Sequence, residues 1–173
     1  HGELAYWSYS QAANGALPAL NLARDEFGEN LQRSSEPDLI AVTDRALFFI
    51  EAKLTATNVT QPTDPTNRKR YLSGGDKWHE RVFRSDFDTV AVQLKQYELF
   101  RFWLLGTWMA NQIGKEFYLL NVVLAARELD IEARFGQHIR MSDNRHFKRV
   151  SWEEICNFVE TTDPRDETRQ TLL

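Results

Sequence analysis

Sulfur is almost absent from this sequence. Its 173 residues include two methionines and a single cysteine, Cys156, so no disulfide bond can form within the chain. The cysteine spacing of structural zinc sites is missing as well, which excludes that class of metal-binding domain. Disulfides are rare in reducing compartments, and we therefore expect an intracellular, cytoplasmic protein. Internal repeats and a glycine-rich phosphate-binding loop are also missing.

Long apolar segments and a large excess of one charge are missing too. The most apolar run, residues 100–110, is interrupted by Arg101 and is shorter than the roughly 20 residues that a membrane-spanning helix needs. No signal peptide is visible, and we expect no membrane partner. The 21 basic and 25 acidic residues give a net charge of −4, which argues against a protein that coats polyanions over its whole surface.

The residues that are present are typical of a globular protein. Hydrophobic residues make up 42% of the chain, charged residues 27% and aromatic residues 12%. This composition favours a folded chain over a disordered one. The length is enough to bury a substantial core, so residues 1–173 are predicted to form a single domain.

The pattern of apolar residues predicts both helices and strands. Residues 4–27 are spaced loosely for a buried helical stripe in two pieces, and a short strand is expected near residues 30–33. An almost continuously apolar helix is predicted over residues 88–113, followed by a buried strand over residues 117–126. Residues 151–154 have the spacing of a capping box, which predicts the start of a last helix.

Residues 36–53 are predicted to form a β-hairpin around which the rest of the fold is arranged. Two short apolar segments, residues 39–42 and 47–50, contain residues that favour strands. The four residues between them, 43–46, suit a turn. Both faces of the two strands are apolar, which is typical of central strands that are covered on two sides.

Three charged side chains are predicted to meet at the open end of this hairpin. If residues 44 and 45 are the centre of the turn, Asp38 lies opposite Glu51, at a Cβ separation of roughly 4.5–5.5 Å. Lys53 follows Glu51 by two residues and therefore points to the same face. The two carboxylates repel each other, and a divalent cation would relieve that repulsion. The alternative is an ion pair of Lys53 with Glu51 or Asp38 at a strand end.

The spacing of these residues resembles a known nuclease motif. Pro37-Asp38, followed after twelve residues by Glu51-Ala52-Lys53, resembles the motif of the PD-(D/E)xK nuclease superfamily. The resemblance implies an α/β fold with a restriction-endonuclease-like αβββαβ core, in which a central mixed sheet is flanked by helices. It covers about residues 1–125 and leaves residues 126–173 as a C-terminal extension.

The resemblance also implies a role for each residue of the motif. Asp38, Glu51 and the backbone carbonyl of Ala52 are implied as ligands of one or two Mg²⁺ or Mn²⁺ ions. Lys53 would orient the attacking water or neutralise the charge that develops on the phosphorus centre. Some RecB-like nucleases of this superfamily carry a four-cysteine iron–sulfur cluster, which the single cysteine excludes here.

Further catalytic residues are expected outside the hairpin. Gln93 and Tyr97 resemble the Q-x-x-x-Y signature of the RecB-like branch, and their spacing places them on one face of the predicted helix. The alternative is a core tyrosine beside a surface glutamine. Superfamily members often add a glutamate from the first helix, and Glu3 is the candidate because that helix is expected to start near Asp38. Its alternative is a solvated acid favoured by the helix dipole.

Residues 55–87 have no clear periodicity and are predicted to form a long loop, which in a compact domain is usually functional or mobile. Between Arg68 and Arg84, six bases and two acids concentrate positive charge beside the predicted site. Tyr71, Trp78 and Phe83 lie among the bases and are expected to stack on unpaired nucleobases. The alternative is a solvated surface insertion. The predicted nucleic-acid-binding residues are Arg68, Lys69, Arg70, Lys77, Arg81 and Arg84.

Together these residues predict a metal-dependent nuclease that hydrolyses phosphodiester bonds in DNA. DNA is the expected partner, with a homo-oligomer or a larger DNA-processing complex as the expected assembly. The alternative is a non-catalytic nucleic-acid-binding or assembly module that kept the nuclease fold. The intact trio favours the enzyme, because a module that only binds has no need for two acids at close range.

Overall fold

The computed structural model describes residues 2–6, 9–10, 15–29 and 36–162. These residues form an α/β fold with helices packed on one mixed sheet. The strands are β1 (Glu3–Tyr6), β2 (Tyr9–Ser10), β3 (Gly15–Ala16), β4 (Leu39–Val42), β5 (Ala46–Lys53), β6 (Glu116–Val123) and β7 (Arg145–Ser151). The helices are α1 (Pro18–Glu26), α2 (Asn67–Val82), α3 (Tyr97–Gln112), α4 (Ile131–Gly136) and α5 (Trp152–Thr161). A π-helical turn, Asp88–Gln93, precedes α3.

The sheet joins an antiparallel half to a parallel half. Its strand order is β3-β2-β1-β4-β5-β6-β7. The pairs β1–β4 and β4–β5 are antiparallel, whereas β5–β6 and β6–β7 are parallel. The predicted mixed sheet with flanking helices is therefore confirmed. This topology places the start of β4 and the ends of β5, β6 and β7 at the same edge of the sheet.

The hairpin of β4 and β5 has the predicted register. Leu39 pairs with Ile50, as a turn centred on residues 44 and 45 requires. The N–H of Thr43 donates to the Ala46 carbonyl at 2.8 Å, and the N–H of Ala46 donates to Thr43 Oγ1 at 2.9 Å. A slip of one residue would turn every side chain to the other face, so this register decides which residues meet at the open end.

The helix predicted over residues 4–27 is wrong for its first part. Residues 3–6 form β1, and α1 begins only at Pro18. Burial alternates along β1, because Ala5 lies in the core and its two neighbours are exposed. Four residues are too few for a period of two to be distinguished from a helical stripe. The strand predicted near residues 30–33 lies outside the described residues.

The long loop predicted over residues 55–87 is also wrong, because this segment contains α2. Tyr71 and Trp78, on either side of a break in this helix, are both buried. From Gly74 the backbone leaves the helical conformation for four residues, and α2 bends against the ring of Phe27. A Cβ atom on Gly74 would overlap that ring. The glycine pair concealed the helix, because glycine is a weak helix former.

The helix predicted over residues 88–113 is divided in two. The π-helical turn ends at Gln93, Lys95 has a positive φ of 54°, and α3 begins at Tyr97. Thr60 bridges the break: its N–H donates to the Lys95 carbonyl at 2.7 Å, and its carbonyl accepts from the N–H of Tyr97 at 3.2 Å. Most of α3 is buried, as the sequence predicts.

The two faces of the sheet differ in burial. On the face under α3, Gly106 lets the helix approach the ring of Phe117 so closely that a Cβ atom would overlap it. On the opposite face, the rings of Phe48, Tyr118 and His146 stack across three strands at centroid distances of 4.9 and 4.5 Å. These three side chains are only half-buried. The sequence predicts that both faces of the central strands are covered, and this holds only for the face on which α3 packs.

β6 and the last helix support the sequence predictions. β6 covers most of the strand expected over residues 117–126, but it ends at Val123. The capping box at the start of α5 is formed: the N–H of Glu154 donates to Ser151 Oγ at 3.1 Å, and Glu154 Oε2 accepts from the N–H of Ser151 at 2.6 Å.

Candidate metal centre

Asp38 and Glu51 lie beside each other at the open end of the hairpin. The pairing of β4 with β5 ends at Leu39 and Ile50, so these two acids occupy the next position of the same register. The N–H of Ala52 donates to Asp38 Oδ2 at 2.8 Å, which fixes this carboxylate against β5. The structure thus brings together the two acids that the turn geometry predicts to meet.

Glu51 is a buried acid with an unsatisfied oxygen. Only 5% of the residue is exposed. Its Oε1 lies 2.5 Å from Lys53 Nζ, while Oε2 is buried and has no hydrogen-bond partner among the described residues. Burial raises the pKa of Glu51 to about 7; Lys53 opposes this rise, and the charges of Asp38 and Glu98 add to it. Such an oxygen is stabilised by a proton or a cation.

Lys53 forms the ion pair that is the alternative to a metal site. Its Nζ lies 2.5 Å from Glu51 Oε1 and 3.1 Å from Glu98 Oε2. Burial by itself would lower the pKa of Lys53, but the two carboxylates outweigh burial and raise it, so the ammonium stays charged. The pair occupies one oxygen of Glu51 and leaves the other for a second cation.

Glu98 is a member of this cluster that sequence reasoning missed. It lies in the first turn of α3, and its N–H donates to Thr60 Oγ1 at 2.9 Å. Glu98 and its neighbour Tyr97 both lie in α3, so they point about 100° apart. Glu98 Oε2 accepts from Lys53 Nζ, whereas the Tyr97 hydroxyl contacts α2. The only signal in the sequence was an acid adjacent to the Q-x-x-x-Y segment.

Gln93 and Tyr97 do not share a helix face, because the break separates them. Gln93 is exposed at the end of the π-helical turn. The Tyr97 hydroxyl accepts a hydrogen bond from Asn67 Nδ2 at 2.7 Å and lies 3.1 Å from the hydroxyl of Tyr71. The prediction of a common face is therefore wrong, and the contacts of the Tyr97 hydroxyl are with α2.

A buried ion pair anchors these tyrosines. The Tyr71 hydroxyl donates to Glu29 Oε1 at 2.7 Å, and Arg101 donates to both oxygens of Glu29 at 2.5 Å. Burial by itself would raise the pKa of Glu29, but Arg101 outweighs burial and holds it below its usual value. The network joins the end of α1 to α2 and α3, so the position of Tyr97 is fixed from three sides.

Glu3 is not brought to this cluster. It pairs with Val42, at the end of β4 that lies away from Asp38. The prediction placed Glu3 at a helix start near Asp38, and it is wrong because this segment forms a strand that runs antiparallel to β4.

Two buried asparagines hold the segment after Lys53 on the sheet. Asn121 lies beside Glu51 in the register of β5 and β6. The side-chain amides of Asn58 and Asn121 exchange two hydrogen bonds, at 2.8 and 3.0 Å. Neither residue stood out in the sequence, because asparagine more often marks a turn than a buried pair.

The three aromatic residues expected to stack on nucleobases belong to the core. Tyr71, Trp78 and Phe83 are buried. The sequence pattern predicts a loop here, whereas Tyr71 and Trp78 lie in α2, Phe83 follows it, and their rings belong to the core. That prediction is therefore wrong.

The six predicted nucleic-acid-binding residues lie on α2 or just after it. Arg70 is half-buried and donates to a backbone carbonyl at 3.1 Å, whereas the other five are exposed. Arg68 pairs with Asp88 and Arg81 pairs with Asp76, each at 2.9 Å. The remaining three are Lys69, Lys77 and Arg84.

The oxygens at the hairpin end fit a hard divalent cation that keeps part of its water shell. In the described part of the chain, no three His, Cys, Asp or Glu side chains are grouped to hold a metal ion. Mg²⁺ is usually bound through one or two carboxylates and several waters. Asp38, Glu51 and the Ala52 carbonyl match such a set, and the buried oxygen of Glu51 would gain most from a cation.

Comparisons of the chain with protein-family models, with curated proteins and with solved structures found no match. The helices within residues 17–29 and 36–162 are all too short or too polar to cross a membrane. The resemblance to PD-(D/E)xK nucleases therefore rests on the motif residues and their geometry.

Proposed function

We propose that this protein is a metal-dependent nuclease that hydrolyses phosphodiester bonds in DNA. The observation that carries the proposal is the buried, unpartnered Oε2 of Glu51 beside Asp38. An unsatisfied buried polar group costs about 1–3 kcal/mol, and more if it is charged. Such groups in native proteins call for an explanation, and a bound ion is one.

We also propose a restriction-endonuclease-like core. It is supported by the succession of β4, β5, α3 and β6, in which the hairpin is antiparallel and β5 pairs in parallel with β6. The motif acids lie at the mouth of that hairpin, where the resemblance implies the metal site.

Asp38, Glu51 and the Ala52 carbonyl would hold Mg²⁺ or Mn²⁺. When bound, such an ion supplies Lewis-acid activation of the phosphodiester and of water. The charged ammonium of Lys53 can donate to a phosphate oxygen as negative charge grows there. Glu98 gives Lys53 a second carboxylate, which keeps the ammonium near the hairpin end.

The residues around the hairpin would position the DNA strand. The exposed amide of Gln93 is free to face solvent and can donate to a phosphate oxygen. Tyr97 is engaged with Asn67 and Tyr71, so its part is to fix the start of α3. The exposed bases of α2 would contribute contacts to the phosphate backbone, which are independent of sequence.

The test is incubation of single-stranded, double-stranded and branched DNA with Mg²⁺, Mn²⁺ or EDTA. We expect cleavage only with the metals, and Asp38→Asn to lower its rate by about a hundredfold or more. Asp25→Asn, on the exposed side of α1, removes the same charge away from the site and should cleave like the wild type. Undiminished cleavage by Asp38→Asn would remove the assignment, as would cleavage of equal rate in EDTA.

One observation favours the non-catalytic binding or assembly module. Lys53 is already paired with two carboxylates, which is sufficient to explain why an ammonium is kept at this position. Calorimetric titration with Mn²⁺ separates the two functions. The nuclease requires binding that Glu51→Gln weakens, whereas the module predicts DNA binding without metal uptake or cleavage.

A further inference from the structure

A cleft lies at the edge of the sheet opposite the candidate metal centre. It has a volume of about 320 Å³ and is enclosed by α2, α3 and the residues where β6 and β7 begin. Glu51 and Lys53 lie where β5 ends, and the eight residues of a strand such as β6 span roughly 26 Å. A group bound in this cleft is therefore separate from the metal centre.

Three cations line this cleft, and none of its lining residues is an acid. Lys115 and Arg145 are half-buried, and neither forms an ion pair with any carboxylate of the described residues. Lys115 Nζ donates to the Asp44 carbonyl at 2.9 Å, and Arg145 Nε donates to Ser142 Oγ at 3.1 Å. Both cations thus have only neutral acceptors, and their positive charge is not compensated.

The third cation is available to a ligand. Arg81 pairs with Asp76 at 2.9 Å, but the Asp76 side chain is 90% exposed. An ion pair in that setting contributes little and exchanges readily with solvent or with another anion. The Arg145 guanidinium also donates weakly to the Arg81 carbonyl, at 3.4 Å, so the two arginines are neighbours.

We propose that this cleft binds a phosphate group, held by Lys115, Arg145 and Arg81. Guanidinium and ammonium groups form strong charge-assisted hydrogen bonds with phosphate oxygens. The amides of Asn111 and Asn144, which also line the cleft, supply neutral donors. The volume lies at the lower end of the roughly 300–1,000 Å³ found for ligand pockets, which leaves room for a phosphate together with the group to which it is attached.

The cations of this cleft have an alternative explanation, which is a purely structural role. α3 ends at Gln112 beside the cleft, and cations stabilise the negative end of a helix. If that were their whole role, removing Lys115 or Arg145 would lower stability, and the wild-type protein would not bind phosphate.

The test is calorimetric titration of the EDTA-treated protein with inorganic phosphate and pyrophosphate, with thermal unfolding in parallel. For the wild type we expect saturable binding and a rise in Tm. In both Arg145→Gln and Lys115→Gln we expect the affinity for phosphate to be at least about tenfold lower than in the wild type. Lys148→Gln on the opposite face of β7 removes a charge from the same strand and should bind like the wild type. Arg145→Gln also loses two hydrogen bonds, so Lys115→Gln decides the outcome if that variant unfolds.

A competition experiment in EDTA distinguishes whether the phosphate belongs to a small ligand or to a nucleic-acid backbone. Displacement of pyrophosphate by a nucleoside monophosphate but not by short single-stranded DNA indicates a small ligand, and displacement by the DNA indicates a nucleic-acid backbone. The proposal would be overturned if the wild type did not bind phosphate, or if both variants bound it as tightly as the wild type. Because no metal is present, this outcome is independent of whether the protein cleaves DNA.

Discussion

Lys53 has two carboxylate partners, and under the proposed function the competition between them would decide whether Glu51 can bind a metal ion. With Glu98 as a partner, the ammonium can remain charged and in place while Glu51 turns its oxygens to a cation. Without Glu98, the ammonium and any metal would compete for the same carboxylate. The residue that sequence reasoning missed is therefore the one that would allow the motif residues to act separately.

Glu98→Gln tests this division of roles. The variant keeps the size of the side chain but removes its charge, so Lys53 should pair more tightly with Glu51 and oppose metal binding. We expect Mn²⁺ affinity and the cleavage rate each to fall about tenfold, measured by calorimetry and by single-turnover cleavage. Glu80→Gln, on the exposed side of α2, is the matched control. Unchanged affinity and rate would show that Glu98 only stabilises the helix start.

His79 lies outside the candidate metal centre, and its titration is expected to make the stability of the protein depend on pH. Its ring is stacked on Phe83 at 4.9 Å, and its buried Nε2 has no partner among the described residues. Burial lowers the pKa of His79 below its usual value of about 6.5. The unfolded chain therefore binds the proton more readily, so this contribution to stability is complete above about pH 6.5 and is lost as the pH falls below it.

The measurement is the free energy of unfolding in urea between pH 7.5 and pH 5, values that bracket the usual histidine pKa of about 6.5. Glu51, whose raised pKa of about 7 makes the native state more stable toward the acid end, titrates in the wild type and in His79→Leu alike, so the difference between the two proteins is the quantity that reports on His79. Relative to His79→Leu, we expect the wild type to lose stability as the pH falls. His146→Gln, which changes a half-buried histidine on the other face of the sheet, should keep the wild-type dependence. Identical pH dependence of wild type and His79→Leu would contradict this assignment.

At the scale of secondary-structure elements, the turn of the hairpin and the cap of α5 are predicted correctly, whereas β1 and the two interrupted helices are not. The β4–β5 hairpin was predictable because its turn and its alternation lie within one short segment. The bend of α2 depends on Phe27, which is distant in the sequence. The break before α3 depends on Thr60, which bonds to both sides of it. Neither contact leaves a periodic pattern in the sequence. The sequence therefore predicts one continuous helix over residues 88–113 and no bend in α2.

The packing of α3 on the sheet predicts a large effect from a small substitution. A methyl group at Gly106 would overlap the ring of Phe117, so Gly106→Ala should lower the free energy of unfolding by about 1–3 kcal/mol in urea. Gly136→Ala in α4 is the control, because its Cβ would meet only Met141, at an ordinary 3.6 Å. Combining Gly106→Ala with Phe117→Leu should recover part of the loss. Equal stability of the two alanine variants would contradict the close approach.

At the scale of the whole molecule, the fold class was accessible from sequence, and the connections between distant segments were not. The hairpin and the buried strand near residue 120 are predicted from residue patterns, whereas the mixed sheet is predicted from the resemblance to the nuclease motif. The pairing of β1 with β4 and the Glu29–Arg101 ion pair were not visible, because each joins segments that are far apart in the chain. The same holds for the candidate site: the acids of the hairpin were predicted, and the contacts made by α3 were not.

β5 has an antiparallel neighbour on one side and a parallel neighbour on the other, and the two pairings close chain segments of very different length. The hairpin closes within a few residues, whereas β6 can join only after a long intervening segment has been placed. Short loops close faster than long crossovers. A growing chain would therefore bring Asp38 and Glu51 together before the helix that carries Glu98 has docked, so ions in the surrounding solution can meet the two acids while the protein is still folding.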